Sequence, residues 1–145
     1  MRKGIFATGL AIFASIIWLR AEPSPDAQII QGSWTPVKAE LGGQPISDAI
    51  LKTIRLKLTD GKYEVFVGMA PDKGTYVVDS SAKPKSITVN GTEGPNQGRT
   101  FPSIYELEGD SLRICYDLSG KKRPTEFKSV PGTKLYLVTY ARKKS

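Results

Sequence analysis

The sequence predicts an all-β domain: one antiparallel up-and-down barrel of about eight to ten strands with one short helix. Three observations point to it. Residues 53–59 alternate strictly, with Ile54, Leu56 and Leu58 against Arg55 and Lys57, the two-residue period of a half-buried strand. Asp60-Gly61 follows as a hairpin signal, and 62–67 returns with Tyr63, Val65 and Val67 on one face. The rest of the chain repeats the theme, with short strand-like runs separated by Gly, Asp, Asn and Pro clusters. A meander of this kind buries one face and must dispose of its edges, and closing into a barrel does both. A two-sheet sandwich is the alternative, but its crossings need longer connections.

Taken in order, the chain opens on Met1-Arg2-Lys3 and an apolar run to Leu19, followed by Leu19-Arg20-Ala21 and then Glu22-Pro23. That layout predicts a signal peptide over 1–21, with an uncleaved N-terminal membrane anchor as the alternative. Residues 22–30, with Pro23 and Pro25, read as a linker, and 31–145 as the barrel domain. The first strand is expected over 32–40, carrying Trp34 and Val37. Leu41-Gly42-Gly43-Gln44-Pro45 is a turn, and Ser47-Asp48 reads as a helix N-cap before Ala49-Ile50-Leu51. After the hairpin of 53–67, the run 68–72 reads as a turn. Strands are then expected over 74–78 and 86–89, and 90–98 as a loop. Asn90-Gly91-Thr92 fits a glycosylation sequon, but the loop composition explains it as a turn. A second hairpin, 100–107 with 111–116, turns at Glu108-Gly109-Asp110 and places Leu112, Ile114 and Tyr116 on one face. Glu126-Phe127 opens a short strand, and 135–141 forms the last, with Tyr136, Val138 and Tyr140 sharing a face.

Composition removes several function classes. Among 145 residues there is no histidine, so imidazole bases, Ser-His triads and His-ligated metals are absent. The single cysteine, Cys115, can make no internal disulfide and no cysteine-rich metal site. It reads as a small buried filler rather than a reactive thiol. The net charge is +7, but Arg2, Lys3 and Arg20 lie in the leader, leaving 18 positive against 14 negative residues, or +4. That is enough for solubility and weak attraction to anions, and short of a nucleic-acid-binding face. The acids Asp72, Glu106, Asp110 and Asp117 fall mostly at turns. With no nucleophile constellation, the sequence does not read as an enzyme and calls for no metal or cofactor.

Gln31-Gly32-Ser33-Trp34 is a Gly-x-Trp start of the lipocalin type. Together with Gly42-Gly43-Gln44-Pro45, Lys73-Gly74-Thr75-Tyr76, Lys83-Pro84-Lys85-Ser86-Ile87, the segment 104–115 and Arg123-Pro124-Thr125-Glu126-Phe127, it resembles a family of uncharacterised, exported, lipocalin-like domain proteins expanded in planctomycete-type bacteria. The resemblance spans nearly the whole domain and implies a small barrel in an exported setting, periplasmic or extracellular. It assigns no substrate. It also implies that Trp34 packs at the closed floor of the barrel under an arginine from near the last strand, and Arg142 stands at that position. Such a stacked pair is worth about 0.5–2 kcal/mol.

Small barrels either fill their interior with side chains or keep a ligand-sized cavity. The expected function is therefore a binding module for a small apolar or amphipathic ligand, its interior lined by Phe66, Tyr76, Tyr105, Arg113 and Tyr116. For Arg113 two readings stay open: a cross-strand pair with Glu106, or a carboxylate-binding group inside the barrel. The alternative function is a cell-envelope structural or interaction protein with a filled barrel and a basic surface. Lys121, Lys122 and Arg123 would then make weak contact with anionic polymers.

Overall fold

Asp60 and Gly61 both take left-handed backbone angles, φ 49° and 76°, the geometry of a tight hairpin that preserves strand twist. The computed structural model describes residues 24–67 and 70–144, with Gly4 and Gly9 besides. Those two glycines apart, the leader expected over 1–21 lies outside the described residues, as do residues 68–69. Nine strands follow in chain order: β1 (Gly32–Leu41), β2 (Gln44–Pro45), β3 (Ile54–Thr59), β4 (Lys62–Val67), β5 (Ala70–Asp79), β6 (Ser86–Glu93), β7 (Thr100–Glu108), β8 (Ser111–Asp117) and β9 (Leu135–Arg142). From β3 to β9 each strand pairs antiparallel with its sequence neighbour, and β1 pairs with both β3 and β9. Eight strands therefore close into an antiparallel barrel, while the two-residue β2 only extends the end of β1.

The alternation read from the sequence decides which side chains face inward. In β3, Ile54, Leu56 and Leu58 are buried and Arg55, Lys57 and Thr59 exposed. Each fully buried aliphatic side chain of this kind contributes roughly 1.5–3 kcal/mol. β1 is less regular. Its pairing with β3 ends at Trp34, opposite Leu56, and beyond that it pairs with β9. The register slips between Pro36 and Lys38, where proline supplies no N–H to the ladder. Val37, in the bulge, is left 56% exposed.

Gln44-Pro45, read from the sequence as part of a turn, pairs with β1 as β2, and the structure differs from the sequence reading at four further places. The expected linker over 22–30 contains a helix, α1 (Pro25–Ile29), capped by the Ser24 hydroxyl and ending at the fully buried Ile30. With α2 (Asp48–Leu51), capped by Ser47 as expected, the described residues form two short helices. The strand expected at Glu126-Phe127 does not form. Residues 118–134 instead run irregularly over the outside of the barrel, with the Cys115 thiol 3.5 Å from the Lys128 carbonyl. Finally, β5 begins at Ala70 and β6 continues to Glu93, so the sequon-like Asn90-Gly91-Thr92 is strand.

Topology fixes the two ends. The turns β3–β4, β5–β6 and β7–β8 lie at one end, together with α1 and the end of β9. The α2 connection, the end of β4 with the start of β5, the loop 94–99 and the start of the connection 118–134 lie at the other.

Candidate functional site

Trp34 closes the first of these ends. It is wholly buried, and its indole Nε1 donates to the Ile30 carbonyl at 2.9 Å. The Arg142 guanidinium lies 4.3 Å from the Trp34 ring centroid. It donates from Nη1 to the Gln31 carbonyl at 2.6 Å and from Nη2 to the Ile29 carbonyl at 2.7 Å. Three consecutive carbonyls at and just past the C-terminal end of α1, groups that a helix end leaves without internal partners, are thus satisfied by the stacked pair. Asp110 holds the guanidinium from the β7–β8 turn.

α1 is tied down on its other side. Asp26 Oδ2 accepts from the Tyr105 hydroxyl at 2.7 Å and pairs with Lys85 at 2.9 Å. The Lys85 hydrogen bond, joined by that of Tyr105, holds the Asp26 carboxyl below its ordinary value against the opposing effect of burial. Ile30, Trp34, Tyr105 and Leu112 fill the closed end.

Above this floor the interior is open. A cavity of about 480 Å³ runs toward the other end, lined on β3 by Ile54, Leu56 and Leu58 and on β4 by Tyr63, Val65 and Val67. The remaining walls are mostly Ile87, Val89 and Ile114 together with Tyr76, Phe101, Tyr116, Tyr136 and Tyr140. The Tyr116 and Tyr136 rings stack, their centroids 5.6 Å apart at 24°. Tyr116 reaches in from the open end of β8 and Tyr140 from the closed end of β9, and their hydroxyls meet at 3.0 Å. Burial pushes the phenols of Tyr63, Tyr116 and Tyr140 far above the ordinary tyrosine value, so these walls stay neutral. The Tyr76 hydroxyl is buried near Gly61 and has no hydrogen-bond partner among the described residues.

Among the described residues only Asp72 and Arg99 bring charge to the lining, and both sit at the open end. Asp72 is latched there. Its carboxylate accepts from the Tyr63 hydroxyl at 3.2 Å, the Asn96 amide side chain at 2.8 Å and the Asn96 N–H at 3.3 Å. The loop 94–99 approaches β6 closely because Gly91 has no side chain: a Cβ there would lie 1.9 Å from the Asn96 carbonyl oxygen.

Of the interior residues expected from the sequence, Tyr76 and Tyr116 line the cavity. Tyr105 points inward but belongs to the floor, spent on Asp26. Phe66 is corrected outright. It is out of phase with Tyr63, Val65 and Val67 on the same strand, and stands 38% exposed in an outer groove with Arg55 and Lys57. For Arg113 the structure takes the first of its two readings: between Leu112 and Ile114 it faces outward, away from the barrel interior, pairs across the strands with Glu106 and lies 4.3 Å over the Phe127 ring. The basic loop also divides. Arg123 is committed to the Ile87 and Ser103 carbonyls and the Thr88 hydroxyl, while Lys121 and Lys122 remain exposed.

The sequence reading missed Tyr63, Phe101 and Tyr136 as lining and the Asp72–Asn96–Arg99 rim. Alternation alone could have found Tyr63 and Tyr136. Nothing local marks Asn96, whose role depends on a loop fold.

The fold is similar to that of a DUF4847 family protein from Bacteroides vulgatus. The two share a TM-score of 0.51 at 14% identity, covering 83% of this chain and 98% of that one. At that identity the likeness shows the fold alone, a barrel compatible with a lipocalin-like architecture. No protein-family model matches the chain, and no curated protein matches it.

Proposed function

We propose that this protein is a non-catalytic binding module that takes a small, largely apolar or amphipathic molecule into its barrel. The observation that carries the reading is the cavity itself. About 480 Å³ of space is walled by aliphatic and aromatic side chains, sealed below by Trp34 and α1 and charged only at its open end. That volume lies within the range of small-molecule sites, which are mostly apolar with a few placed polar groups. The resemblance to exported lipocalin-like proteins and the leader-like N-terminus agree with a periplasmic or extracellular protein, cleaved or held by its N-terminus. A module acting only through a basic surface has less support, since the interior is open and Arg123 is engaged in three hydrogen bonds.

The test is direct. Titration with Nile red, an apolar dye that brightens on leaving water, should give saturable one-to-one binding in the micromolar range (about −8 kcal/mol). Native mass spectrometry of protein purified from its own source should show a bound small molecule. Failure of both would overturn the reading.

A further inference from the structure

We propose that the cavity selects a neutral, planar aromatic ketone or quinone, whose carbonyl accepts a hydrogen bond from the Tyr116–Tyr140 hydroxyl pair. This deepens the binding reading above and rests on it. Two hydroxyls 3.0 Å apart satisfy each other only in part. One donates to the other, and the acceptor keeps its own O–H, which has no acceptor among the described residues. A desolvated donor of that kind gains more from a ligand acceptor than it would in water.

The rest of the cavity narrows the class. Six aromatic side chains line it, and the stacked Tyr116 and Tyr136 present a flat surface. Among the described residues Arg99 is the one cation in the lining, and it sits at the rim, on the loop that precedes β7. A carboxylate or phosphate at the hydroxyl pair would be buried without a counter-charge, which is costly. The phenols stay protonated across the physiological range because burial raises them, so the donor is present at every working pH. A hydrocarbon would leave the donor unused, whereas a carbonyl compound of the same shape would use it.

Fluorenone and fluorene form a matched pair, alike except that a carbonyl replaces a methylene. In a purely apolar cavity fluorene binds better, since it is the more hydrophobic. Here wild-type protein should prefer fluorenone by roughly 2–10-fold, the range of one neutral hydrogen bond, and fluorene carboxylate should bind more weakly than either. The two single variants, Tyr116→Phe and Tyr140→Phe, should keep the preference, because the surviving hydroxyl still carries a donor. The double variant should reverse it, with near-ultraviolet circular dichroism confirming its packing. If wild-type protein binds both probes but prefers fluorene, or the double variant still prefers fluorenone, the inference is overturned and the binding reading stands. If neither probe nor Nile red binds, the binding reading itself fails and this inference with it.

Discussion

Arg142 and Trp34 join the last strand to the first at the closed end of the barrel, with the guanidinium 4.3 Å over the indole ring. The same two side chains supply donors to the carbonyls of Ile29, Ile30 and Gln31. The stack is therefore inseparable from the docking of α1. Arg142→Ala should cost about 2–3 kcal/mol in urea unfolding, since it removes the stack and strips donors from two carbonyls. Trp34→Phe keeps a ring but loses the Nε1 bond. A double-mutant cycle between Arg142→Ala and Trp34→Ala, which removes the ring itself, should give a coupling of about 0.5–2 kcal/mol. Additivity within error would mean that the two side chains act separately.

Asp26 gives the floor a pH dependence. Its folded-state value is lowered, chiefly by Lys85 and with help from Tyr105. Folding thus favours the ionised form. The resulting stability is fully present above the unfolded carboxylate value, about 3.9, and is lost as pH falls through the lower folded value. Asp117 follows the same sign: burial would raise it, but the Ser119 hydroxyl and the amides of Lys122, Ser119 and Lys121 more than offset this. Asp26→Asn should destabilise by about 1–2 kcal/mol near neutrality, discounted because Lys85 is partly exposed. The gap to wild type should narrow as pH falls below the unfolded carboxylate value and through the lower folded one, where both carry a neutral side chain. Denaturant titrations at a series of pH values check this; a gap constant across the series would assign the loss to packing alone.

Binding should depend on the inner face and not the outer. Val89 lies on β6 inside the cavity and Val77 on β5 outside it, 64% exposed. Val89→Trp places a bulky ring in the apolar space and should weaken Nile red binding at least ~10-fold, the loss of about 1.4 kcal/mol or more. Val77→Trp should leave the affinity unchanged while adding the same side chain. Equal effects from the two would place the dye on the surface.

These contrasts show what the sequence could and could not convey. Strand identity, the Asp60-Gly61 turn and inward faces such as Leu56 with Tyr63 were legible, because the period of two is a local property. The same rule, consistently applied, excludes Phe66 and Arg113 from the interior, since each lies out of phase with its inward neighbours. α1 was hidden because its stability is not local. A five-residue helix has little of its own, and this one is held by Arg142, Tyr105 and Lys85, residues 59 to 113 positions away. The stretch 118–134 misled for a related reason: its anchors are Asp117, Arg113 and Arg123 side chains rather than a ladder. The rim latch between Asp72 and Asn96 joins residues 24 apart through a loop with no periodicity to read.

That latch should govern how fast a ligand leaves. The loop 94–99 is held to Asp72 by Asn96, and lies against β6 because Gly91 leaves room for the Asn96 backbone. A Cβ at position 91 would meet Asn96 carbonyl carbon and oxygen at 2.5 and 1.9 Å. These are backbone atoms, which cannot rotate away as a side chain would, so Gly91→Ala must lift the loop. It should cost roughly 1–3 kcal/mol of stability as overpacking. Lifting the loop also pulls the Asn96 amide from Asp72 and widens the open end, since Asn96 and Arg99 both line it. Stopped-flow dilution should then show Nile red released several-fold faster from Gly91→Ala, and from Asn96→Ala, which breaks the latch without the steric push. The apolar walls are untouched in both variants and only the rim changes, so entry should speed up as well and affinity should change less than either rate. Unchanged release from both would mean that the dye leaves by another route.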